Sequence, residues 1–262
     1  MVNPPQRHYF KKRFGQNFFK SSYWPQKIVD LAEVSAQDTF LEIGPGAGAL
    51  TEILLTRAKR VICFEIDNEL IPKLHKRFDS EPKFELIHQD ILQADLTILN
   101  LDKYKVIGSL PYNIAKKIIR LFLTNERTPE SMTVVVQKEV AENYVAQAPK
   151  ASFLSNLANT YAEIKLLATI PKSDFYPMPK VAGGVLQFTK IKSKFAKPEA
   201  LIKFIKIAFQ TPRKIIANNL HSVYPQKDQL LKIMTELDLS PTARASELKL
   251  DQWSKLYAAL NS

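Results

Sequence analysis

The sequence predicts an α/β protein in which a parallel sheet, covered by helices on both faces, precedes a small all-helical domain. From residue 39 to residue 137, short apolar runs alternate with segments whose apolar residues recur at helical spacing. That alternation is typical of a parallel sheet with helical crossovers. Beyond residue 198 the pattern is helical throughout. We therefore expect a first domain of residues 1–189 and a second of residues 190–262.

The individual elements follow from the period of the apolar residues. Strands are predicted at residues 39–43, 61–66, 84–88, 104–108 and 133–137, with shorter strand-like pieces within 164–189. Helices are predicted near residues 25–34, 47–58, 67–78 and 114–123, and in the second domain at 199–210, 228–237 and 251–260.

Glycine is scarce in this chain and concentrated at one turn. The 262 residues include seven glycines, against roughly eighteen at average usage. Gly44, Gly46 and Gly48 follow the first predicted strand of the sheet and open a predicted helix. A turn without Cβ atoms at that point exposes bare backbone to a ligand. Gly44, Gly46 and Ala49 match a dinucleotide fingerprint, and Glu42 with the three glycines matches an adenosylmethionine loop, so the loop alone leaves both cofactors open.

Carboxylates end the next two predicted strands. Glu65 lies about 20 residues after the glycine turn, where either cofactor needs an acceptor for its ribose hydroxyls. Asp90 ends the third strand, where an acid can accept a hydrogen bond from an adenine amino group or can simply cap a turn. Asp90 favours the adenosylmethionine interpretation.

The segment after the fourth predicted strand carries a second chemical signal. Ser109, Leu110, Pro111 and Tyr112 give a polar residue, a spacer, proline and an aromatic ring, a pattern typical of enzymes that methylate exocyclic amino groups of bases. The Ser109 side chain and the Leu110 carbonyl, held extended by Pro111, would accept from the two N–H groups of adenine N6. The Tyr112 ring would stack on the extruded base. A proline turn with a core tyrosine is the alternative.

Positive charge is concentrated at two segments. The formal net charge is +11; residues 1–29 carry six basic and no acidic side chains, and residues 187–227 carry nine basic side chains and one acid. This asymmetry predicts a polyanionic partner, either nucleic acid or an anionic membrane surface.

The cysteine content, the histidine spacing and the hydropathy exclude several kinds of site and location. The single cysteine, Cys63, excludes an internal disulfide and a cysteine-based zinc site, and its apolar neighbours predict a buried thiol. The four histidines show no metal-ligand spacing, so we expect no metal. Without a signal-peptide core or a membrane-length apolar run, a cytoplasmic location is expected.

Taken together, these segments resemble the ribosomal RNA adenine dimethyltransferases, and within them the bacterial small-subunit branch. The resemblance spans nearly the whole chain. Its motifs are residues 14–19, 41–51, 65–67, 90–92, 110–114, 137–140, 175–181 and 212–214.

The resemblance implies a Rossmann-like methyltransferase domain, S-adenosyl-L-methionine as cofactor and a set of contacts to it. Glu65 would hold the ribose hydroxyls, Asp90 the adenine amino group, and Asn17 with the Phe19 backbone the methionine part. The other cofactor contacts implied are Gly44, Gly46, Ile66, Ile91 and Ser109.

The same resemblance implies the reaction and the partner. Ser109, Leu110 and Tyr112 would grip the target adenine, and Phe175 would cover its other face. The implied reaction is four methyl transfers to two neighbouring adenines in a small-subunit rRNA hairpin. The implied partner is the assembling small ribosomal subunit, with no membrane and with the protein acting as a monomer.

Five positions in three places depart from the family pattern. Ser109 replaces the usual asparagine, Phe19 replaces leucine, and residues 182–184 replace Asp-Ser-Ala. A serine hydroxyl reaches less far than an asparagine carbonyl, which leaves slower transfer or a non-catalytic RNA-binding factor open. A large-subunit resistance methyltransferase and a nicotinamide dehydrogenase are further alternatives. Leu110 and residues 175–181 favour the small-subunit branch.

Overall fold

A computed structural model describes residues 17–99 and 101–261. The chain forms two compact units. The first comprises the described residues up to Ala141 together with Ile164–Ile191, and the second comprises Glu142–Glu163 and the residues from Lys192 onward. The sequence predicted a single break near residue 190, and the structure differs by assigning residues 142–163 to the second unit. That stretch contains an unpredicted helix that packs on helices of the second unit.

The first unit is built on a seven-stranded sheet. Its strands are β2 (Thr39–Ile43), β3 (Arg60–Glu65), β4 (Phe84–His88), β5 (Lys105–Ser109), β6 (Ser131–Gln137), β7 (Glu163–Ile170) and β9 (Gly183–Thr189), in the spatial order β4-β3-β2-β5-β6-β9-β7. The pairs from β4 to β6 are all parallel. Strand β9 runs antiparallel to β6, so the sheet is mixed rather than wholly parallel.

The strand order indicates where a ligand would bind. From β2 the chain adds β3 and β4 on one side, then returns to add β5 and β6 on the other. Ligands bind outside the carboxyl ends of strands at such a reversal. The carboxyl ends of β2 and β5 are Ile43, which precedes the glycine turn, and Ser109, which begins the Ser-Leu-Pro-Tyr segment.

Amphipathic helices cover the sheet. In α4 (Ala115–Thr124) the buried residues are Ala115, Ile118, Ile119, Phe122 and Leu123. This spacing puts one apolar stripe against the sheet, because a helix repeats every 3.6 residues. The other helices with residues in this unit are α1 (Tyr23–Leu31), α2 (Ala49–Arg57), α3 (Ile71–Phe78) and the first residues of α5 (Lys138–Val145).

The second unit is helical. Helix α6 (Phe153–Tyr161) begins at a capping box in which Ser152 and Ser155 satisfy each other's backbone N–H groups. The ring of Phe153 lies 6.4 Å from that of Phe209, so α6 packs on the end of the next helix. The remaining helices are α7 (Pro198–Ala208), α8 (Ile216–Leu220), α9 (Lys227–Glu236) and α10 (Leu250–Leu260), around a core that includes Trp253 and Phe204.

A two-stranded ribbon lies outside the main sheet. Strand β1 (Phe18–Phe19) pairs antiparallel with β8 (Phe175–Tyr176), with Phe18 opposite Tyr176 and Phe19 opposite Phe175. The Trp24 Nε1–H donates to Asp174 Oδ2 at 2.7 Å and adds a side-chain bond beside the ribbon. The structure thus joins the start of the described chain to the proline-rich segment, which lies about 150 residues later. Over the described ranges, no helix is long and apolar enough to span a bilayer.

Candidate functional site

The glycine turn is shaped as the sequence predicted. Gly44, Gly46 and Gly48 all have positive φ, at 66°, 59° and 82°, a conformation that side chains other than glycine rarely adopt. Apart from Gly44 itself and its two chain neighbours, no described residue has an atom within 4 Å of a Cβ built on Gly44, so that side of the turn is open. A Cβ on Gly46 would lie 3.0 Å from Cε1 of Phe18, whose ring therefore lies against the turn.

Glu65 is held at the end of β3 by three backbone donors. Its Oε1 accepts from Ile66 N–H and Asp67 N–H, both at 2.9 Å, and its Oε2 accepts from Gly46 N–H at 3.2 Å. A carboxylate has about four acceptor positions, so at least one is left for a ligand hydroxyl. Burial raises the pKa of the carboxyl, against the lowering effect of these hydrogen bonds.

A second carboxyl, Glu42, is fully buried beneath the turn. Its Oε2 accepts from Thr51 Oγ1 at 2.7 Å and from Cys63 Sγ at 3.5 Å. These bonds tie the end of β2 to the first turn of α2 and to β3. Burial, with a smaller contribution from Glu65, raises the pKa of Glu42 to about 7. Burial also raises the pKa of Cys63, which confirms the predicted buried thiol.

The Glu42 pKa predicts a pH-dependent stability. The pKa of Glu42 in the folded protein lies above the usual 4.5. The protonated carboxyl therefore makes its full contribution to the free energy of unfolding below pH 4.5, and this contribution is lost as the pH rises through about 7. Between roughly pH 5.5 and roughly pH 8.5, the free energy of unfolding of the wild type should fall by about 2 kcal/mol relative to that of Glu42→Gln. Urea unfolding of both proteins at the two pH values measures this, with the partly exposed Glu85 replaced by Gln as a control. An equal difference at both pH values would contradict the assignment.

Asp90 has the capping role that the sequence left open. Its Oδ1 accepts from Leu92 N–H at 2.9 Å and caps a short 3-10 helix, Ile91–Gln93. Its Oδ2 forms no hydrogen bond with any described residue and stays available. Ile91 is buried, whereas Ile66, next to Glu65, is 43% exposed. The exposed Ile66 beside the buried carboxylate of Glu65 gives one apolar surface for a base and one acceptor for a ribose, which together suit a nucleoside.

Gly108 lets the two strand ends meet. A Cβ built on it would lie 2.6 Å from the carbonyl oxygen of Ile43, closer than real Cβ atoms approach. The bare backbone therefore permits β5 to lie tightly against β2 where both strands end, a packing role that sequence reasoning did not find.

Two hydrogen-bond acceptors and an aromatic ring follow Gly108 in the chain. The Ser109 hydroxyl and the Leu110 carbonyl accept no hydrogen bond from the residues the structure describes, while Leu110 N–H donates to Val135 O at 2.9 Å. Tyr112 is half-buried, and its Oη has no hydrogen-bond partner among the described residues. Burial raises the pKa of this phenol, so it stays neutral. Two acceptors and a neutral ring thus lie within four residues of one another.

The proline-rich segment differs from the prediction. Phe175 was expected to present a ring to the target adenine, but it is 1% exposed and its ring centroid lies 5.3 Å from that of Phe19. It packs in the core because β8 pairs with β1 and turns both rings inward. A Cβ on Gly183 would lie 3.2 Å from Cζ of Phe175, so the glycine gives that ring room.

The N-terminal motif is described only from Asn17, which is partly buried and hydrogen-bonded or otherwise engaged within the fold. Phe14, Gly15 and Gln16 lie outside the described residues, as do the first four basic residues of the N-terminal segment: Arg7, Lys11, Lys12 and Arg13.

The residues present fit S-adenosylmethionine. The open face at Gly44 is a cradle that a Cβ would enter. The spare acceptor positions of Glu65 and Asp90 match ribose hydroxyls and an adenine amino group, and exposed Ile66 can cover an adenine face. All of these residues belong to the first unit. Phe18 and Glu42 lie at the turn as well, and sequence reasoning had placed both in motifs without assigning either a contact.

The sheet order, the glycine turn and the carboxylates at the strand ends give the chain a Rossmann-like fold, and the family match identifies it as a methyltransferase that uses S-adenosylmethionine. The model of the family described as ribosomal RNA adenine dimethylase matches residues 7–262. The chain belongs to this family of ribosomal RNA adenine dimethyltransferases, and its substrate is ribosomal RNA.

Curated relatives cover almost the full chain. The chain is 36% identical over 252 residues to ribosomal RNA small subunit methyltransferase A of Dehalococcoides mccartyi (strain CBDB1), covering 94% of this chain and 87% of the relative. It is 34% identical over 257 residues to the protein of the same name from Mycoplasma mobile, covering 97% and 99%.

Solved structures share the fold. A dimethyladenosine transferase from Plasmodium falciparum aligns with a TM-score of 0.79 and 22% identity, covering 93% of this chain and 97% of that one. The 23S rRNA methyltransferase ErmE aligns with a TM-score of 0.75 and 23% identity, covering 94% and 100%.

Proposed function

We propose that the chain transfers methyl groups from S-adenosylmethionine to N6 of two adjacent adenines in a small-subunit rRNA hairpin, giving N6,N6-dimethyladenosine. One observation carries the proposal: the glycine turn and the Ser109–Tyr112 segment follow adjacent strands at the reversal of the sheet. A cofactor against the turn and a base against the segment would then lie side by side.

The cofactor would be held by residues of β2, β3 and the loop after β4. Glu65 would accept from the ribose hydroxyls, and Asp90 Oδ2 from the adenine amino group. Ile66 and Ile91 would flank the adenine, and the backbone at Gly44 and Gly46 would lie along the molecule. Asn17 and the Phe19 backbone would contact the methionine part. When bound, S-adenosylmethionine supplies an electrophilic methyl group on a sulfonium sulfur.

Ser109 and Leu110 would prepare the nucleophile. The lone pair of adenine N6 is delocalised into the ring, so N6 attacks poorly while it stays planar. In the first transfer, hydrogen bonds from its two N–H groups to the Ser109 hydroxyl and the Leu110 carbonyl would favour a tetrahedral nitrogen. In the second transfer, the one remaining N–H would bond to one of these acceptors, and after each transfer N6 would release one proton to solvent. Both acceptors are unoccupied within the described chain. Positioning of this kind lowers the barrier without a strong base.

Tyr112 would hold the extruded base. A neutral aromatic face stacks on adenine and favours the positive charge that develops on N6 during transfer. Burial raises the pKa of the phenol, so the ring and not a phenolate supplies this effect.

Replacing Ser109 by asparagine should accelerate transfer. The longer side chain puts a stronger carbonyl acceptor closer to N6, and one better hydrogen bond is worth up to about tenfold in rate. Single-turnover methylation of undermethylated small subunits measures this, and Ser80→Asn, in an exposed turn, is the matched control. A slower Ser109→Asn enzyme would contradict the role given to position 109.

Helix α4 offers positive charge next to the base-binding segment. Lys116, Lys117 and Arg120 are exposed, and the first turn of the helix carries no acid. Cations at a helix N-terminus are unfavourable for the helix itself, which points to use by an anionic ligand. In the second unit, Arg213 and Lys214 are exposed in the loop between α7 and α8. We assign these residues to rRNA phosphates.

The salt dependence of rRNA binding tests this assignment. Each phosphate-contacting lysine contributes about one to the slope of log affinity against log salt. Lys116→Ala with Lys117→Ala should therefore reduce the slope by about two. The matched control removes Lys59 and Lys83, which line an open cavity at the amino ends of the strands. Equal slopes for wild type and the α4 variant would remove α4 from the RNA surface.

The site of methylation separates the proposal from its main rival. The relatives named above are small-subunit enzymes, whereas ErmE is a 23S rRNA methyltransferase. Primer extension after incubation with both ribosomal subunits should show two adjacent stops in small-subunit RNA. One stop in large-subunit RNA would favour the rival, and no stop would favour a non-catalytic binding factor. We further propose a monomer that acts on the assembling small subunit in the cytoplasm, away from membranes.

A further inference from the structure

The glycine turn has little within it to hold its own backbone in place. Its three glycines have more conformational freedom than other residues would, and α2 has Gly48 as its N-cap residue, so no side chain caps the helix. Within the turn, the Gly48 N–H donates to the Pro45 carbonyl at 2.8 Å. A surface that must be ordered as its ligand binds has a reduced affinity. A preformed turn therefore depends on contacts from neighbouring elements.

An arginine of α3 supplies one of these contacts. The Arg77 Nη1–H donates to the carbonyl oxygen of Ala47 at 2.6 Å, and its Nη2–H donates to Glu52 Oε2, also at 2.6 Å. The planar guanidinium thus joins the end of the turn to the first turn of α2. The Ala47 carbonyl belongs to the peptide unit that precedes Gly48. The bond from Arg77 therefore fixes the peptide plane on which the positive φ of Gly48 depends.

The next residue of α3 occupies the space beside Gly48. Phe78 is buried, and a Cβ built on Gly48 would lie 2.5 Å from Cε2 of its ring. The Arg77 guanidinium lies over the same ring, with Cζ 5.0 Å from the ring centroid, where cation–π attraction helps to orient it. Arg77 and Phe78 together thus contact two consecutive residues of the turn, Ala47 and Gly48.

We propose that Arg77 is a positioning residue for the cofactor: held over Phe78, it fixes the glycine turn in the conformation that binds S-adenosylmethionine. The inference rests on the proposed placement of the cofactor against this turn and adds a residue that acts through the turn. Glu65 at the end of β3 holds the Gly46 N–H, and Arg77 of α3 holds the carbonyl of the next residue. Two consecutive elements of the chain thus hold consecutive residues of the turn.

Titration calorimetry of the full-length protein with S-adenosylmethionine tests this role. Arg77→Ala should weaken the affinity about tenfold, because a charge-assisted hydrogen bond to the turn is lost. Arg77→Lys keeps one donor without the planar fork and should have an intermediate affinity. With saturating cofactor, the kcat of Arg77→Ala on undermethylated subunits should equal that of wild type, so that the KM for the cofactor alone rises.

The other end of α2 offers a matched control. The side chain of Arg57 is 38% exposed, against 40% for Arg77, and it also bonds a carboxylate, that of Asp30, at 2.6 Å. Arg57→Ala should bind the cofactor as wild type does. Glu52→Ala removes the surface ion pair of Arg77 and keeps its bond to Ala47, so it should also bind as wild type.

Hydrogen exchange of the cofactor-free protein gives a second readout that does not depend on activity. Arg77→Ala should speed the exchange of the Gly48 N–H about tenfold, because the turn opens more readily, and should leave the amides of β2 unchanged. Arg57→Ala should leave both unchanged.

Each other outcome overturns the role given to Arg77. Wild-type affinity in Arg77→Ala overturns it, and a weakened Glu65→Ala in the same titrations would leave the cofactor site intact. Equal losses in Arg77→Ala and Arg57→Ala assign both arginines to general stability. An equal loss in Glu52→Ala assigns the effect to the ion pair and not to the bond with Ala47. Full affinity in both Glu65→Ala and Arg77→Ala overturns the placement of the cofactor at the turn, and the positioning role with it.

Discussion

Glu65→Ala should weaken the binding of S-adenosylmethionine about a hundredfold or more. The substitution removes the acceptor for the ribose hydroxyls and leaves three backbone N–H groups, those of Gly46, Ile66 and Asp67, without their carboxylate. Buried donors that lose an acceptor are costly, and Gly46 belongs to the turn itself. The change therefore removes one ligand contact and loosens the surface against which the cofactor lies. Isothermal titration calorimetry measures the affinity.

Two further variants show whether the carboxylate or merely its shape is needed. Glu65→Gln keeps one oxygen but turns an NH₂ group towards backbone donors, so we expect an intermediate loss of about tenfold. Glu85→Ala removes a partly exposed acid that pairs with Arg60 on the neighbouring strand and should leave the affinity unchanged. A folded Glu65→Ala protein with wild-type affinity would show that the ribose is held elsewhere.

Tyr112→Ala should slow methyl transfer by about tenfold to about a hundredfold while the affinity for S-adenosylmethionine stays as in wild type. The loss follows from the missing aromatic face, which both stacks on the extruded adenine and stabilises the charge on N6. Single-turnover transfer to saturating undermethylated subunits isolates this step from RNA binding.

Tyr112→Phe separates the ring from the hydroxyl. The Oη atom is buried without a hydrogen-bond partner among the described residues, so its removal should change the rate by less than about threefold. If Tyr112→Phe is as slow as Tyr112→Ala, the hydroxyl and not the ring carries the role. If Tyr112→Ala transfers at the wild-type rate, the base is held by other groups.

The fold was largely predictable because apolar periodicity decides where strands and helices form. The strands at Thr39–Ile43 and Phe84–His88 have the predicted bounds. A strand was predicted in the region of β9, but its antiparallel direction was not, since a run of alternating residues does not show the direction of pairing. Helix α6 was missed because its sequence carries several polar residues, and its stability comes from a capping box and packing within the second unit.

Parts of the site were predictable from the sequence where a residue type has essentially one structural role, as glycine has at a tight turn. Three glycines in five residues indicated a turn of bare backbone, and all three have a positive φ, which suits glycine. The orientation of a side chain was not predictable, because it depends on tertiary pairing. Phe175 is buried by its register with Phe19, and Gly108 is required by the carbonyl of Ile43 on another strand. The roles of Asn17, Phe19, Glu65, Asp90, Ser109 and Tyr112 stay predictions, and the variants above test those of Glu65, Ser109 and Tyr112.

The central claim is adenine N6 dimethylation of small-subunit rRNA by the site between β2 and β5. Its most direct test incubates the full-length protein with undermethylated small ribosomal subunits and methyl-labelled S-adenosylmethionine, followed by nucleoside analysis of the digested rRNA. The account predicts that label accumulates in N6,N6-dimethyladenosine at two adjacent positions and approaches four methyl groups per subunit. Label confined to another nucleoside, or no incorporation by a folded protein that binds the cofactor, would contradict it.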